Sequence, residues 1–71
     1  MINIEISIEL NGANHRLDAH KNVEELIADL SLSDKAVAVA INREIVPRSQ
    51  WSQRQLQAAD HVDVVLAIGG G

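Results

Sequence analysis

The sequence predicts an α+β domain in which one helix covers one face of a mixed sheet of five strands, or of four if the shortest does not pair. Three observations predict it. Ile2, Ile4, Ile6, Ile8 and Leu10 alternate with polar residues and run into Asn11-Gly12; an apolar stripe at helical spacing follows Asn22; and two later stretches, Ala36 to Ile41 and Val62 to Ile68, alternate again with a period of two. With 71 residues the chain has room for one core and not for two.

In the first strand the partners of the apolar series are Asn3, Glu5, Ser7 and Glu9, so one face enters the core and the other is wet. Asn-Gly tolerates the positive φ angles of a two-residue hairpin turn. That turn would pair Leu10 with Ala13, Ile8 with His15, Ile6 with Leu17 and Ile4 with Ala19, leaving Asn14, Arg16 and Asp18 on the wet face. Turn chemistry and burial pattern agree on one register, and a slip of one residue would invert every side chain.

The helix starts at Asn22. Its amide can cap the first turn, Glu25 lies three positions on in a capping box, and Glu24 and Glu25 favour the positive end of the helix dipole. Val23, Leu26, Ile27 and Leu30 then fall on one stripe, which should cover the sheet. Ser31, Ser33 and Asp34 break the pattern. In the next strand Val37, Val39 and Ile41 oppose Ala36, Ala38 and Ala40, and residues that small mark a face on which something packs closely.

Asn42, Arg43 and Glu44 read as a turn and Ile45-Val46 as a short strand, which Pro47 ends because it lacks the amide donor. From Ser49 to Leu56 only Trp51 and Leu56 are strongly apolar, which suits a short helical turn pinned by one aromatic ring over the sheet edge. Arg48 has three equally weighted partners: an acidic group on another protein, Asp60, or Glu44. Ala58 to Asp60 turns the chain into a last strand, with Val62, Val64, Leu66 and Ile68 facing one way and Asp63, Val65 and Ala67 the other. Residues 1–68 thus form the domain, and Gly69, Gly70 and Gly71 form a flexible tail.

Composition excludes several function classes. Ten acidic against six basic residues give a net charge of −4 with no basic cluster, so nucleic acid is excluded as a partner, and a basic docking partner fits better. The apolar runs are too short to span a membrane and no charged-then-apolar leader opens the sequence, so a cytoplasmic protein is expected. The absence of cysteine removes disulfides, thiolate metal sites and thiol nucleophiles together. His15, His20 and His61 lack the paired spacing of a metal site and read as ordinary side chains, His15 near a core edge and the others solvated. No glycine-rich phosphate loop opens a helix, so the chain is expected to bind no nucleotide or other cofactor itself.

The glycine tail is either a frayed end or the part that carries the chemistry. Three glycines fully extended reach about 10 Å beyond the last strand and can thread a channel too narrow for any side chain. They would present the carboxylate of Gly71 to a distant active site. A terminal carboxyl titrates at about 3.3–3.7 and at neutral pH is an anion that resists nucleophiles, so it must be activated. Its attack on the α-phosphate of ATP gives an acyl adenylate, from which a sulfur or amine nucleophile displaces AMP. The ATP site must belong to a partner enzyme.

The order strand, strand, helix, strand, short strand, strand is that of the ubiquitin-like β-grasp fold. The run Ala40-Ile41-Asn42-Arg43-Glu44-Ile45-Val46-Pro47-Arg48-Ser49-Gln50-Trp51, the turn at Ala59-Asp60 and the ending Ala67-Ile68-Gly69-Gly70-Gly71 resemble the sulfur carriers of thiamine biosynthesis, the ThiS family. The likeness covers nearly the whole chain. It departs at Ala59, where many relatives carry glycine.

The resemblance implies a carrier that is not itself an enzyme. Gly71 would be adenylated by an E1-like, ThiF-like enzyme, converted to a thiocarboxylate with sulfur from a donor enzyme, and used by a ThiG-like thiazole synthase. It also implies docking through an apolar sheet face near the tail, for which Val46, Leu66 and Ile68 are the first candidates, each with plain core as the equal alternative. The free protein is expected to be a monomer. Two other functions fit the same residues: a sulfur carrier like the small subunit of molybdopterin synthase, and a ubiquitin-like binding or modifier module.

Overall fold

The computed structural model describes residues 4–66. Its elements are β1 (Glu5–Leu10), β2 (Ala13–Asp18), α1 (Val23–Asp29), β3 (Val37–Ile41), β4 (Glu44–Ile45), a 3₁₀ turn (Arg48–Gln50) and β5 (His61–Leu66). The strands form one five-stranded sheet in the order β2-β1-β5-β3-β4, so β4 does pair. β1 and β5 run parallel at the centre and all other neighbours are antiparallel.

The first hairpin has the predicted register, from Leu10 opposite Ala13 to Ile6 opposite Leu17. Beyond the ladder, the Ala19 amide donates to the Ile4 carbonyl at 2.9 Å. Asn11 (φ 51°) and Gly12 (φ 83°) are both left-handed, the twist that two-residue hairpins favour. The capping box is also present: the Glu25 amide donates to Asn22 Oδ1 at 2.8 Å, and the Asn22 amide donates to Glu25 Oε1 at 3.0 Å. Lys21 pairs with the Asp29 carboxylate, whose hydrogen bond raises the lysine pKa above its ordinary value. That exposed pairing is present at neutral pH, and the lysine's share of it is lost as pH rises through the raised value.

The helix stops through a device the sequence hides. Ser31 takes a left-handed conformation (φ 61°), its amide donates to the Ala28 carbonyl, and the Leu32 amide reaches back to the Ile27 carbonyl, each at 3.0 Å. This is a Schellman cap with serine where glycine is usual. A second left-handed pair, Asn42 (φ 52°) and Arg43 (φ 70°), forms a two-residue turn between β3 and β4. The strand therefore starts at Glu44, one residue earlier than predicted. Val46 lies just past its end and donates to the Val39 carbonyl at 2.9 Å.

The core lies between α1 and one face of the sheet: Ile8, Leu17, Val39, Ile41, Val62 and Val64 meet Val23, Leu26 and Ile27, with Leu56 and Trp51 closing one end. Trp51 is buried over the sheet edge, and its indole N–H donates to the Val46 carbonyl at 3.0 Å, so its one polar atom is satisfied. The proposed ties of Arg48 to Asp60 or Glu44 are not made. Its guanidinium donates to the Ser33 carbonyl at 3.2 Å and sits 5.4 Å from the centre of the Trp51 ring. Asp60 is taken by Arg54 at 3.2 Å. No helix among the described residues is long and apolar enough to cross a membrane.

Candidate functional site

The sheet has a second face, opposite α1, that no element among the described residues covers. Registers place its residues. Ala38 stands opposite Val65, and Ala40 lies between Asp63 and Ile45, so these five side chains share the open face. Across the sheet, Glu5, Ser7 and Glu9 of β1 and Asn14, Arg16 and Asp18 of β2 complete it.

The two halves of that face differ in chemistry. On the β2-β1 side Arg16 pairs with Glu5 at 3.3 Å, while His61 Nδ1 lies 2.8 Å from Glu9 and its Nε2 lies 3.8 Å from Asp63. Carboxylates outnumber cations there. On the β5-β3-β4 side the alanines form a low floor between Ile45, 72% exposed, and Val65, 60% exposed. Large aliphatic side chains that open to water, set beside residues too small to fill the space between them, make a surface suited to a partner. A cleft of about 280 Å³ beside β4, lined by Ile41, Ile45, Val46, Gln50 and Arg54 among others, borders it.

β5 carries Val65 and is clasped at its start. The Asn42 amide donates to the His61 carbonyl at 2.7 Å, and the Asn42 side-chain oxygen accepts from the His61 amide at 3.0 Å. The Asn42 side-chain nitrogen donates to Asp60 Oδ1 at 3.2 Å. The buried Asp60 carboxylate also accepts from the Gln57 amide at 2.8 Å and from Arg54 at 3.2 Å, so its desolvated charge is matched by three donors. From the other side the Asn11 amide donates to the Val62 carbonyl at 2.9 Å, and the Asn11 side-chain oxygen accepts from the Val64 amide at 2.8 Å. Two turn asparagines thus hold the strand that leads to the tail.

The candidate docking residues are placed as follows. Val46 is half-buried and packs against the core, on the helix side. Leu66 follows Val62 and Val64 in alternation and stands opposite half-buried Val37, but it is 51% exposed. Ile68 and the tail residues Gly69, Gly70 and Gly71 lie outside the described residues, as does the proposed domain boundary between them. Ile45 and Val65 were not among the candidates. The signal that could have found them is parity, since Val65 is the large aliphatic of the outward set Asp63, Val65 and Ala67.

Comparison with known proteins agrees with this geometry. The ThiS family model matches residues 6–71. The sulfur carrier protein ThiS of Escherichia coli K12 is 40% identical over 66 residues, covering 93% of this chain and 100% of the carrier. A thiazole synthase of Paramagnetospirillum magneticum is 35% identical over 66 residues, but the match takes in only 20% of that protein, so this chain spans about one fifth of its length. The crystal structure of the thiamine biosynthesis protein ThiS from Geobacter metallireducens superposes with a TM-score of 0.79 at 26% identity, covering 93% of this chain and 100% of the other. The fold is therefore the ubiquitin-like β-grasp expected from the element order. Matched through its C-terminal glycines to the family pattern, and sharing two residues in five with a relative that it covers from end to end, this chain belongs to the ThiS family of sulfur carriers.

Proposed function

We propose that this chain carries sulfur for thiazole formation in thiamine biosynthesis as a thiocarboxylate on Gly71. The observation that carries the reading is the family match running to the last glycine. In the first step the Gly71 carboxylate attacks the α-phosphate of ATP on an E1-like, ThiF-like enzyme; a P–O bond forms and pyrophosphate leaves. In the second, sulfide supplied by a donor enzyme attacks the acyl carbon, the acyl–oxygen bond to phosphate breaks and AMP departs, leaving the thiocarboxylate. Gly69 and Gly70 thread the partner's channel. A ThiG-like thiazole synthase then receives the sulfur, a reading supported by the occurrence of a segment similar to this chain within longer thiazole synthases.

The protein's own contribution is delivery. Ile45, Val65, Ala38 and Ala40 form the apolar half of the dock, while Glu5, Glu9 and Asp63 beside them favour a partner rimmed with basic groups. Incubation with the adenylating enzyme, ATP and a sulfur donor should exchange one carboxyl oxygen of Gly71 for sulfur, read as the matching gain in intact mass. Gly70→Val should abolish that gain. An unchanged mass of the wild-type chain, with an enzyme competent on its own carrier, overturns the reading.

A further inference from the structure

Main-chain hydrogen bonding in β5 is asymmetric. The His61 carbonyl accepts from Asn42 of the β3 side, whereas the Val62 carbonyl and the Val64 amide face Asn11 of the β1 side. Alternation then fixes the rest: His61, Asp63 and Val65 direct their backbone groups to β3, and Val62, Val64 and Leu66 direct theirs toward β1. Pairing with β3 continues to the end of β5, where Leu66 stands opposite Val37. Pairing with β1 stops at Leu10 opposite Val62, because the chain turns back into β2 at Asn11-Gly12. The side chain of Asn11 supplies the last acceptor, to the Val64 amide.

Beyond that point β5 is an interior strand with a bare edge. The Val64 carbonyl and the Leu66 amide and carbonyl point to a side on which no described strand lies, about 13 Å past the last paired residue at Leu66. Such a row of main-chain donors and acceptors is a template for one more strand. It lies immediately before the segment that leads to Gly71, and Leu66, on that edge, is half exposed.

We infer that this edge pairs with an extended segment of the adenylating partner, which adds as a short strand beside Val64–Leu66 and sets the direction in which the tail leaves the domain. The inference rests on the carrier reading above and adds to it a main-chain contact separate from the apolar dock. The occupant is a peptide backbone with free N–H and C=O groups, and its own side chains matter little to the pairing.

Amide exchange on the wild-type chain, alone and bound to the purified adenylating enzyme, tests this directly. The Val65 amide, bonded to β3, should be protected in both states; the Leu66 amide should exchange freely alone and become protected in the complex. Leu66→Pro removes that one donor while Val65 before it keeps an extended backbone that proline tolerates, so the melting temperature should hold while affinity falls about tenfold, the worth of about one hydrogen bond. Leu66→Ala, which keeps the amide, should weaken binding less. A Leu66 amide that still exchanges freely in the complex overturns the inference, as does protection in the free chain that scales with its concentration, which would assign the edge to a second copy. A wild-type chain that is not adenylated at all overturns the carrier reading and this inference with it.

Discussion

The two faces of the sheet are built from the same alternating strands and do opposite work. The covered face seats Ile8, Val39, Val62 and Val64 against α1 with almost no exposure, and the open face leaves Ile45 and Val65 in water beside two alanines. Burial is what folding gains from an aliphatic side chain, so the first set is explained by stability alone. The second set gains nothing from the fold. On the proposed carrier reading, its stabilisation would come when a partner covers it.

The contrast can be broken from the covered side. Leu26→Ala removes a fully buried side chain and should cost about 2–5 kcal/mol, measured by denaturant unfolding, a large share of a small domain's stability. Asp60→Asn sits at the seam between the faces. It keeps the shape but loses the charge that Arg54 meets and disturbs the acceptor pair for Gln57 and Asn42, for an expected loss of about 1–3 kcal/mol. Ala59→Gly should act in the other direction. Ala59 is left-handed (φ 69°), which costs an alanine about 1–2 kcal/mol, so after glycine's extra chain entropy the variant should gain about 1 kcal/mol in thermal unfolding. The smallest effect on stability belongs to the open face. Ile45→Asp and Val65→Asp should change unfolding by no more than about 0.5 kcal/mol while abolishing capture by the adenylating enzyme. A large loss of stability in either would show that the open face is held by the fold itself.

The sequence disclosed what rests on short-range rules. The Asn11-Gly12 turn and the alternation of β1 together dictate the hairpin register, and Asn22 with Glu25 dictates the helix start. What it concealed depends on backbone conformations that the residue type does not announce. Serine caps the helix at Ser31, arginine holds a left-handed turn position at Arg43, and alanine does so at Ala59, where glycine would carry no steric penalty. The open-face position of Val65 was legible from parity, which sets it with Asp63 outward; what parity does not give is that Leu66, on the helix side of the alternation, stays half exposed. The partner of Arg48 was equally out of reach, because Ser33 and Trp51 meet it only through the loop after α1 and the 3₁₀ turn.

The placement of β5 has a consequence for biosynthesis. Because β5 sits between β1 and β3, the β2-β1 hairpin and the β3-β4 hairpin have no ladder to each other until residues 61–66 have been translated and released from the ribosome. A nascent chain short of that point has two separate hairpins and no continuous open face. On the carrier reading proposed above, an enzyme that recognises the assembled sheet would be shielded from copies in which β5 has not yet joined it, so that sheet assembly would license sulfur loading.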